Sequence, residues 1–234
     1  MYKILIRGYK CAPYIDKCMH SILRQKVTDW EVLILLDTAT EEDKKAAEAY
    51  VCDKVMVSIN PERMGVAYNI YNGIHMMCPE DEDVIVIVDA DDWLRDDALK
   101  VVDKAYRKKK CLATYGSFNF SVKLTKSRIC KQYPQAVKVR SYKWHGTHLK
   151  TFKFKVFKHV PEDYFKWKKE WLIAASDLAL MFPVMELAGN SNCYHIKEPI
   201  YYYRTTYEHS VRRETQKRAE KRVRSMKPLK RLFG

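Results

Sequence analysis

Apolar residues follow two alternating patterns along the first hundred positions of the chain. The runs that are apolar throughout, and so predict buried strands, are 3–9, 30–37, 54–59 and 84–88. The segments with apolar residues at helical spacing, which predict helices, are 14–25, 40–52, 65–77 and 96–108. Strands that are apolar on both faces and separated by helices are typical of a parallel sheet covered on both sides. We therefore predict an α/β fold with a central, mostly parallel sheet flanked by helices.

The pattern changes after residue 110, where aromatic residues become frequent. Segments 111–120, 128–134 and 198–207 predict strands or extended chain. Segment 176–189 predicts a helix that contains Pro183. The second half therefore does not continue the simple strand–helix alternation of the first.

Nothing in the composition separates the two halves, because no stretch rich in proline, glycine or serine lies between them. We expect one domain over 1–211, made of the halves 1–110 and 111–211, followed by a basic tail over 212–234.

The tail concentrates the charge of the chain. Residues 212–231 carry +8 of the total net charge of +14. Ala219, Val223 and Met226 lie at helical spacing, which predicts a basic helix that ends by Pro228. Such a helix can lie on an anionic membrane surface, and the alternative is a solvated helix. No nucleic-acid motif accompanies the charge, so nucleic acid is not expected as a partner.

The cysteine pattern and the lengths of the apolar runs indicate the cellular location of the protein. The seven cysteines are scattered and form no CxxC pair, which favours reduced, buried thiols in a cytosolic protein. No apolar run approaches the roughly 20 residues that span a bilayer. We expect a cytoplasmic protein, with peripheral contact at the inner face of a membrane through the tail.

Acidic residues follow the fourth predicted strand directly. The strand at 84–88 runs into Asp89-Ala90-Asp91-Asp92, and adjacent carboxylates need something to offset their repulsion. The carboxyl end of a strand in such a sheet is where ligands bind. Mn²⁺ and Mg²⁺ prefer oxygen ligands and are commonly held by carboxylates together with substrate phosphates. The pattern therefore predicts a divalent-metal and phosphate site.

Two other functions are compatible with parts of this pattern. A D-x-D phosphohydrolase or phosphotransferase would use the first aspartate as nucleophile. That class usually carries its motif on the first strand and has Thr or Ser where this chain has Trp93. A non-enzymatic nucleic-acid-binding protein is the third possibility, for which only the tail argues.

Five segments together resemble a known family. They are "IRGYKCAPYIDKCMHSILRQ", "WEVLILLD", "NPERMGVAYNIYNGI", "DADD" and "SDLALMF". In order and spacing, over roughly residues 3–205, they resemble the GT-A glycosyltransferases of the inverting family-2 type. The resemblance implies transfer of a sugar from a nucleotide-diphosphate donor, with a UDP-sugar expected, to a glycan or lipid-linked acceptor. Residues 1–110 would be the nucleotide-binding half and 111–211 the acceptor half.

The resemblance also implies roles for individual residues. The residues implied in nucleotide-sugar binding are Gly8, Tyr9, Asp37, Arg63, Gly65, Asn69, Asp89, Ala90 and Asp91. Asp89 and Asp91, with His148, would hold Mn²⁺ or Mg²⁺. Asp177 would be the general base that deprotonates the acceptor hydroxyl. Asp92, Trp93 and His148 would lie on the acceptor side.

Some of these positions keep a second interpretation. His145, His148 and Lys150 could contact the diphosphate or the acceptor, or they could belong to a surface loop. Trp93 is equally compatible with an anchor in the core. Arg7 stands where the family usually has proline, which is a departure from its pattern.

Overall fold

The computed structural model describes residues 1–121, 126–204 and 213–233. The strands in this part of the chain are β1 Tyr2–Gly8, β2 Trp30–Leu36, β3 Val55–Ile59, β4 Val84–Asp89, β5 Trp93–Leu94, β6 Ala113–Phe120, β7 Ser127–Arg128, β8 Thr147–Lys153, β9 Lys166–Trp167, β10 Glu170–Trp171 and β11 Cys193–Tyr203. The helices are α1 Ala12–Leu23, α2 Glu41–Glu48, α3 Val66–Met76, α4 Ala98–Lys109, α5 Phe154–Phe157, α6 Ser176–Ala188 and α7 Arg213–Ser225.

One sheet runs through both halves of the chain. Its order is β3-β2-β1-β4-β8-β6-β11-β5, with β7 paired to β6. The pairs from β3 to β4 are parallel, as predicted, and so is the β6–β11 pair. Strand β8 lies antiparallel between β4 and β6, with Lys150 opposite Ile87. The beginning of β8 therefore lies beside the acidic end of β4.

Apolar clusters cover both faces of this sheet, which explains why β1, β2 and β4 are mostly apolar on both faces. Ile6 and Val86 cluster with α1 and α4, whereas Leu5 and Ile87 cluster with α3 and α6. Because side chains alternate between faces along a strand, Arg7 and Asp89 share the α6 face with Leu5 and Ile87. The same alternation matters for the site below.

Asp43 fixes the turn that follows β1. It forms a capping box with Thr40 at the start of α2, and its carboxylate also accepts the N–H groups of Cys11 and Ala12, both at 2.8 Å. The two helix starts are thus tied together. A side chain at Gly8 would place its Cβ 2.6 Å from the Cys11 sulfur, so the turn requires glycine there.

The second half differs from its prediction at 128–134, which is mostly irregular. Its backbone N–H groups bond to side chains instead of a neighbouring strand. Cys130 donates to the Ser117 hydroxyl at 3.0 Å, and Tyr133 donates to the Tyr115 hydroxyl at 2.8 Å. This pattern depends on contacts that sequence periodicity does not encode.

The cysteine and membrane predictions can be compared with the described residues. All seven cysteines are free, but Cys52 and Cys78 are exposed, so the expectation that all are buried is wrong for these two. No helix in the described ranges combines the length and the apolar character needed to cross a bilayer.

Helix α7 packs on the domain. Ala219, Val223 and Met226, the apolar stripe of the predicted basic helix, are buried. Ala219 and Val223 belong to the same apolar cluster as α6. This corrects the expectation that the stripe is available to a membrane, because protein already covers it.

A buried ion pair holds this arrangement. Arg140 donates two hydrogen bonds to Glu186 of α6, at 2.6 and 3.0 Å, and a third to the Val223 carbonyl of α7. Glu186 also accepts the Leu229 N–H at 3.0 Å, and Arg224 donates to the Arg140 carbonyl at 2.6 Å. The pair therefore links α6, α7 and the chain beyond α7.

We expect Glu186→Ala to lower the free energy of unfolding by about 3–5 kcal/mol, because it leaves the Arg140 charge buried without a partner. Urea unfolding followed by circular dichroism measures this. Glu41→Ala, which removes an exposed pair with Lys44, is the matched control and should change the midpoint little. An unchanged midpoint for Glu186→Ala would show that the pair does not hold α7.

Candidate functional site

A cavity of about 450 Å³ lies at the carboxyl ends of β1, β2 and β4. Its lining residues are Arg7, Gly8, Tyr9, Asp37, Arg63, Met64, Gly65, Val66, Asn69, Asp89, Ile173 and Thr215. This set contains all but two of the residues assigned to the nucleotide-sugar site from the sequence. The exceptions are Ala90, which is buried, and Asp91. Four separate segments of the first half are thus brought to one cavity.

Asp37 shapes the wall of this cavity by holding the loop after β3. Its carboxylate accepts the N–H groups of Met64 at 2.8 Å and Gly65 at 3.0 Å. The Asn60 amide also donates to it at 3.2 Å and to the Asn69 side-chain oxygen at 2.6 Å. The loop conformation and the Asp37 carboxylate are therefore coupled.

An aromatic ring and a cation form the open side of the cavity. The Arg63 guanidinium lies 3.8 Å from the centre of the Tyr9 ring, and its Nε is 3.9 Å from the Asp37 carboxylate. Gly65 has φ of 86°, a left-handed conformation that glycine adopts without strain. A flat ring beside a cation and a carboxylate suits a planar, hydrogen-bonding ligand such as a nucleobase.

Asp92 holds the acidic segment after β4 in place through buried hydrogen bonds. It is 1% exposed and accepts hydrogen bonds from the Tyr201 hydroxyl and the Arg204 N–H, both at 2.6 Å. The Tyr201 hydroxyl in turn accepts the Asp89 N–H at 3.2 Å. Burial, and then the charges of Asp89 and Asp91, raise the pKa of Asp92 well above its usual range. The expectation that Asp92 faces the acceptor is wrong, because its carboxylate is enclosed.

Oxygen and nitrogen ligands suitable for a metal converge at Asp89. One ligand atom each from Asp89, Asp92 and His148 lie within 4.8 Å of one another. Asp91 lies outside this group, with an oxygen 3.9 Å from the Arg204 guanidinium. Carboxylate oxygens with one imidazole suit Mn²⁺ and are compatible with Mg²⁺. The residues around Asp89 therefore fit a divalent cation.

Lys150 is the central side chain between this group and α6. It is 0% exposed, and its Nζ lies 3.0 Å from the Asp177 carboxylate and 3.1 Å from His148 Nδ1. Burial and the Lys150 charge lower the pKa of His148 to about 3, so its ring is neutral at neutral pH. The Lys150 ammonium lies 3.1 Å from Nδ1 and 3.5 Å from Nε2, and it donates to the ring nitrogen that carries no proton. His148 is itself buried against Tyr201, which argues against contact with an acceptor.

Asp177 lies in the first turn of α6 and remains partly exposed. Burial opposes its ionisation, but the charges of Lys150 and Arg7 hold the pKa of Asp177 well below its usual range. It is therefore an ionised carboxylate at neutral pH. Although Asp177 does not line the cavity, contacts through Lys150 and His148 connect it to Asp89.

The remaining aromatic and histidine candidates lie elsewhere. The Trp93 ring stacks on Tyr202, with centroids 5.4 Å apart, and the Lys17 ammonium lies 3.2 Å from its centre. Trp93 is partly exposed and belongs to neither apolar cluster, so these contacts hold its ring at the surface and do not make it a core anchor. The His145 ring packs against Tyr133 with centroids 5.7 Å apart, so it is not grouped with His148.

Arg7 is the site residue that sequence reasoning did not assign. It is 8% exposed and donates to the Asp89 carboxylate. The signal that could have identified it is a basic residue directly after the apolar run 4–6 of the same strand.

Comparisons with known proteins identify the family and the fold of the chain. A family model described as "Glycosyl transferase family 2" matches residues 4–165. A chondroitin synthase of Pasteurella multocida is 29% identical over 133 residues, which are 57% of this chain and 14% of that protein. A chondroitin synthase of Escherichia coli is 27% identical over 129 residues, 52% of this chain and 18% of that protein. The chain thus spans less than a fifth of these relatives.

Solved structures show the same fold, the GT-A fold of glycosyltransferases. TarS 1–349 of S. aureus in complex with UDP has a TM-score of 0.63 at 17% identity, covering 88% of this chain and 61% of that one. The mannosyltransferase PcManGT of Pyrobaculum calidifontis, in complex with GDP-Man and Mn²⁺, has a TM-score of 0.64 at 16% identity. That match covers 97% of this chain and 65% of the other.

We expect Asp92→Ala to lower the free energy of unfolding by about 2–4 kcal/mol, because two buried donors lose their acceptor. Urea unfolding measures the change, and Asp96→Ala, at an exposed carboxylate paired with Arg24, is the control. Full stability of Asp92→Ala combined with loss of Mn²⁺ binding would instead make Asp92 a metal ligand.

Proposed function

The chain belongs to glycosyl transferase family 2, and we propose that it transfers a sugar, with inversion, from a UDP-sugar to a hydroxyl of a glycan or lipid-linked acceptor. The observation that carries this proposal is the shared cavity, to which β1, β2, the loop after β3 and β4 each contribute a residue expected for donor binding. Family membership makes the chain a glycosyltransferase. The phosphohydrolase and nucleic-acid-binding alternatives are therefore set aside.

The donor would place its base between Tyr9, which follows β1, and Arg63, in the loop after β3. Tyr9 and Arg63 offer an aromatic face and a cation, and Asp37 can accept a base N–H or ribose hydroxyl beside the loop that it holds. Solved relatives of the same fold are complexes with UDP, UDP-GlcNAc or GDP-Man. These complexes support a nucleotide-diphosphate sugar; uracil is our proposal among the bases.

We assign a Mn²⁺ or Mg²⁺ ion to Asp89, which lines the cavity, and to Asp91, two residues further along the chain. Both side chains are about one-third exposed, 30% and 34%, whereas both oxygens of Asp92 already accept hydrogen bonds. His148 could join only after its hydrogen bond with Lys150 rearranges, because the unprotonated ring nitrogen is the one that accepts from the ammonium. When bound, such an ion supplies positive charge to the departing diphosphate.

Asp177 is the proposed base. It is ionised and reachable, and the buried Lys150 ammonium fixes its orientation from 3.0 Å. A carboxylate of low pKa is a weak base, but the acceptor hydroxyl becomes far more acidic as its oxygen bonds to the anomeric carbon. The proton then passes to Asp177 late in the displacement, while the nucleotide diphosphate leaves from the opposite face.

The C-terminal helix limits how a membrane-linked acceptor could be reached. Because its apolar stripe is buried, peripheral contact with an anionic membrane would be electrostatic, through the exposed Lys217, Arg218 and Lys221. A cytoplasmic location, with reduced thiols, remains part of the proposal.

Calorimetry of nucleotide binding tests the donor and metal assignments together. We expect UDP to bind more tightly with Mn²⁺ than without it, and Asp91→Asn to abolish that difference, weakening UDP binding on the order of tenfold or more. Asp96→Asn, an exposed neighbour outside the cavity, should behave as the unsubstituted chain. Equal UDP affinity with and without Mn²⁺ would contradict the metal assignment. Tighter binding of GDP than of UDP would mean that the donor base is guanine and not uracil.

The base is tested by Asp177→Asn. We expect release of UDP from UDP-sugars in the presence of simple glycan acceptors to fall about 10²–10⁴-fold, because the acceptor hydroxyl loses its base. UDP affinity measured by calorimetry should stay unchanged. Asp81→Asn, an exposed carboxylate paired with Lys158, is the control. Retained turnover in Asp177→Asn would mean that another group accepts the proton.

A further inference from the structure

Arg7 is a buried cation with unused hydrogen-bonding capacity. One of its terminal nitrogens, Nη2, donates to the Asp89 carboxylate. Its Nε and Nη1 are buried and have no hydrogen-bond partner within the described ranges of the chain. Buried N–H groups of a charged side chain are rarely left in this state, because losing hydration without a replacement acceptor is unfavourable.

The position of Arg7 indicates where an acceptor could come from. Arg7 lines the proposed donor cavity, next to Gly8 and Asp89. The side chain needs an acceptor that carries negative charge and enters through this cavity. A donor nucleotide brings such a group in its diphosphate.

A simpler role for Arg7, as counter-charge to Asp89 alone, can be compared with Lys3 in the same strand. Lys3 is 6% exposed and its Nζ lies 2.6 Å from Glu31, its neighbour in register on β2. Asp89 is likewise the neighbour of Arg7 in register on β4. A lysine therefore serves as buried counter-charge in this strand. The guanidinium at position 7 adds N–H donors beyond the one that Asp89 takes, and guanidinium N–H groups bind phosphate oxygens well.

We propose that Arg7 binds the donor diphosphate through an N–H that Asp89 leaves unused, on Nε or on Nη1, while Nη2–H holds Asp89. This inference rests on the proposed function. During transfer the bond between the anomeric carbon and the β-phosphate oxygen breaks, and its electron pair stays on that oxygen. The acceptor oxygen forms the new bond, and its proton goes to Asp177. Arg7 stabilises the charge that develops on the departing diphosphate, as a fixed cation supplied by the chain.

The experiment separates the diphosphate from the rest of the nucleotide. UDP and uridine, and GDP and guanosine in parallel, are titrated at a fixed Mn²⁺ concentration into the unsubstituted chain, Arg7→Met and Lys3→Met. We expect Arg7→Met to weaken nucleotide diphosphate binding about 10- to 100-fold and to leave nucleoside binding unchanged within about twofold. Lys3→Met removes a comparable buried charge from the same strand and should change neither the diphosphate affinity nor the nucleoside affinity.

The outcomes distinguish this inference from the function on which it rests. Equal weakening of diphosphate and nucleoside, or no weakening, overturns the assignment to the diphosphate. If Arg7→Met does not fold, Arg7→Lys keeps the charge but not the guanidinium; selective weakening of the diphosphate supports the proposal, and unchanged binding overturns it. If the unsubstituted chain binds neither UDP nor GDP, the proposed function itself fails, and the inference fails with it.

Discussion

Two buried basic side chains, each held against a carboxylate, are the constraint on which the rest of the site depends. Arg7 and Lys150 are almost inaccessible to water, and an uncompensated charge at such positions is strongly unfavourable. Arg7 is matched by Asp89 on the neighbouring strand, and Lys150 by Asp177 on α6. Satisfying both pairs requires β1, β4, β8 and α6 to meet at one edge of the sheet.

The carboxylates of the site differ in their partners. Asp89 and Asp177 have fixed cations beside them, and Asp92 is enclosed by hydrogen bonds from Tyr201 and Arg204. The same four charges therefore hold Asp89 and Asp177, the proposed phosphate end and the proposed base, in place at the carboxyl ends of the strands. A metal at Asp89 and Asp91 would add charge without replacing these internal pairs.

The fold of the first half follows from local patterns, and the roles of adjacent acids do not. Uninterrupted apolar runs predict strands buried on both faces, and Asp37 and Asp89 were placed correctly because carboxyl ends of parallel strands share an edge. Asp91 and Asp92, in contrast, look equivalent in sequence. What separates them is the Tyr201 hydroxyl, 109 residues away, which bonds only to Asp92 of these two in the described contacts. Irregular chain over 128–134 escaped prediction for the same reason, since distant side chains take its N–H groups.

Helix α7 shows why an amphipathic stripe does not identify its own partner. The stripe of Ala219 and Val223 would fit a lipid surface or a protein surface equally well, since both offer apolar area. The deciding interaction is the Arg140–Glu186 pair, which bonds to α7 and to the chain beyond it from within the domain. Thr215, in the first turn of the helix, then lines the donor cavity. Helix α7 therefore contributes Thr215 to the wall of the cavity in which we propose that the donor binds.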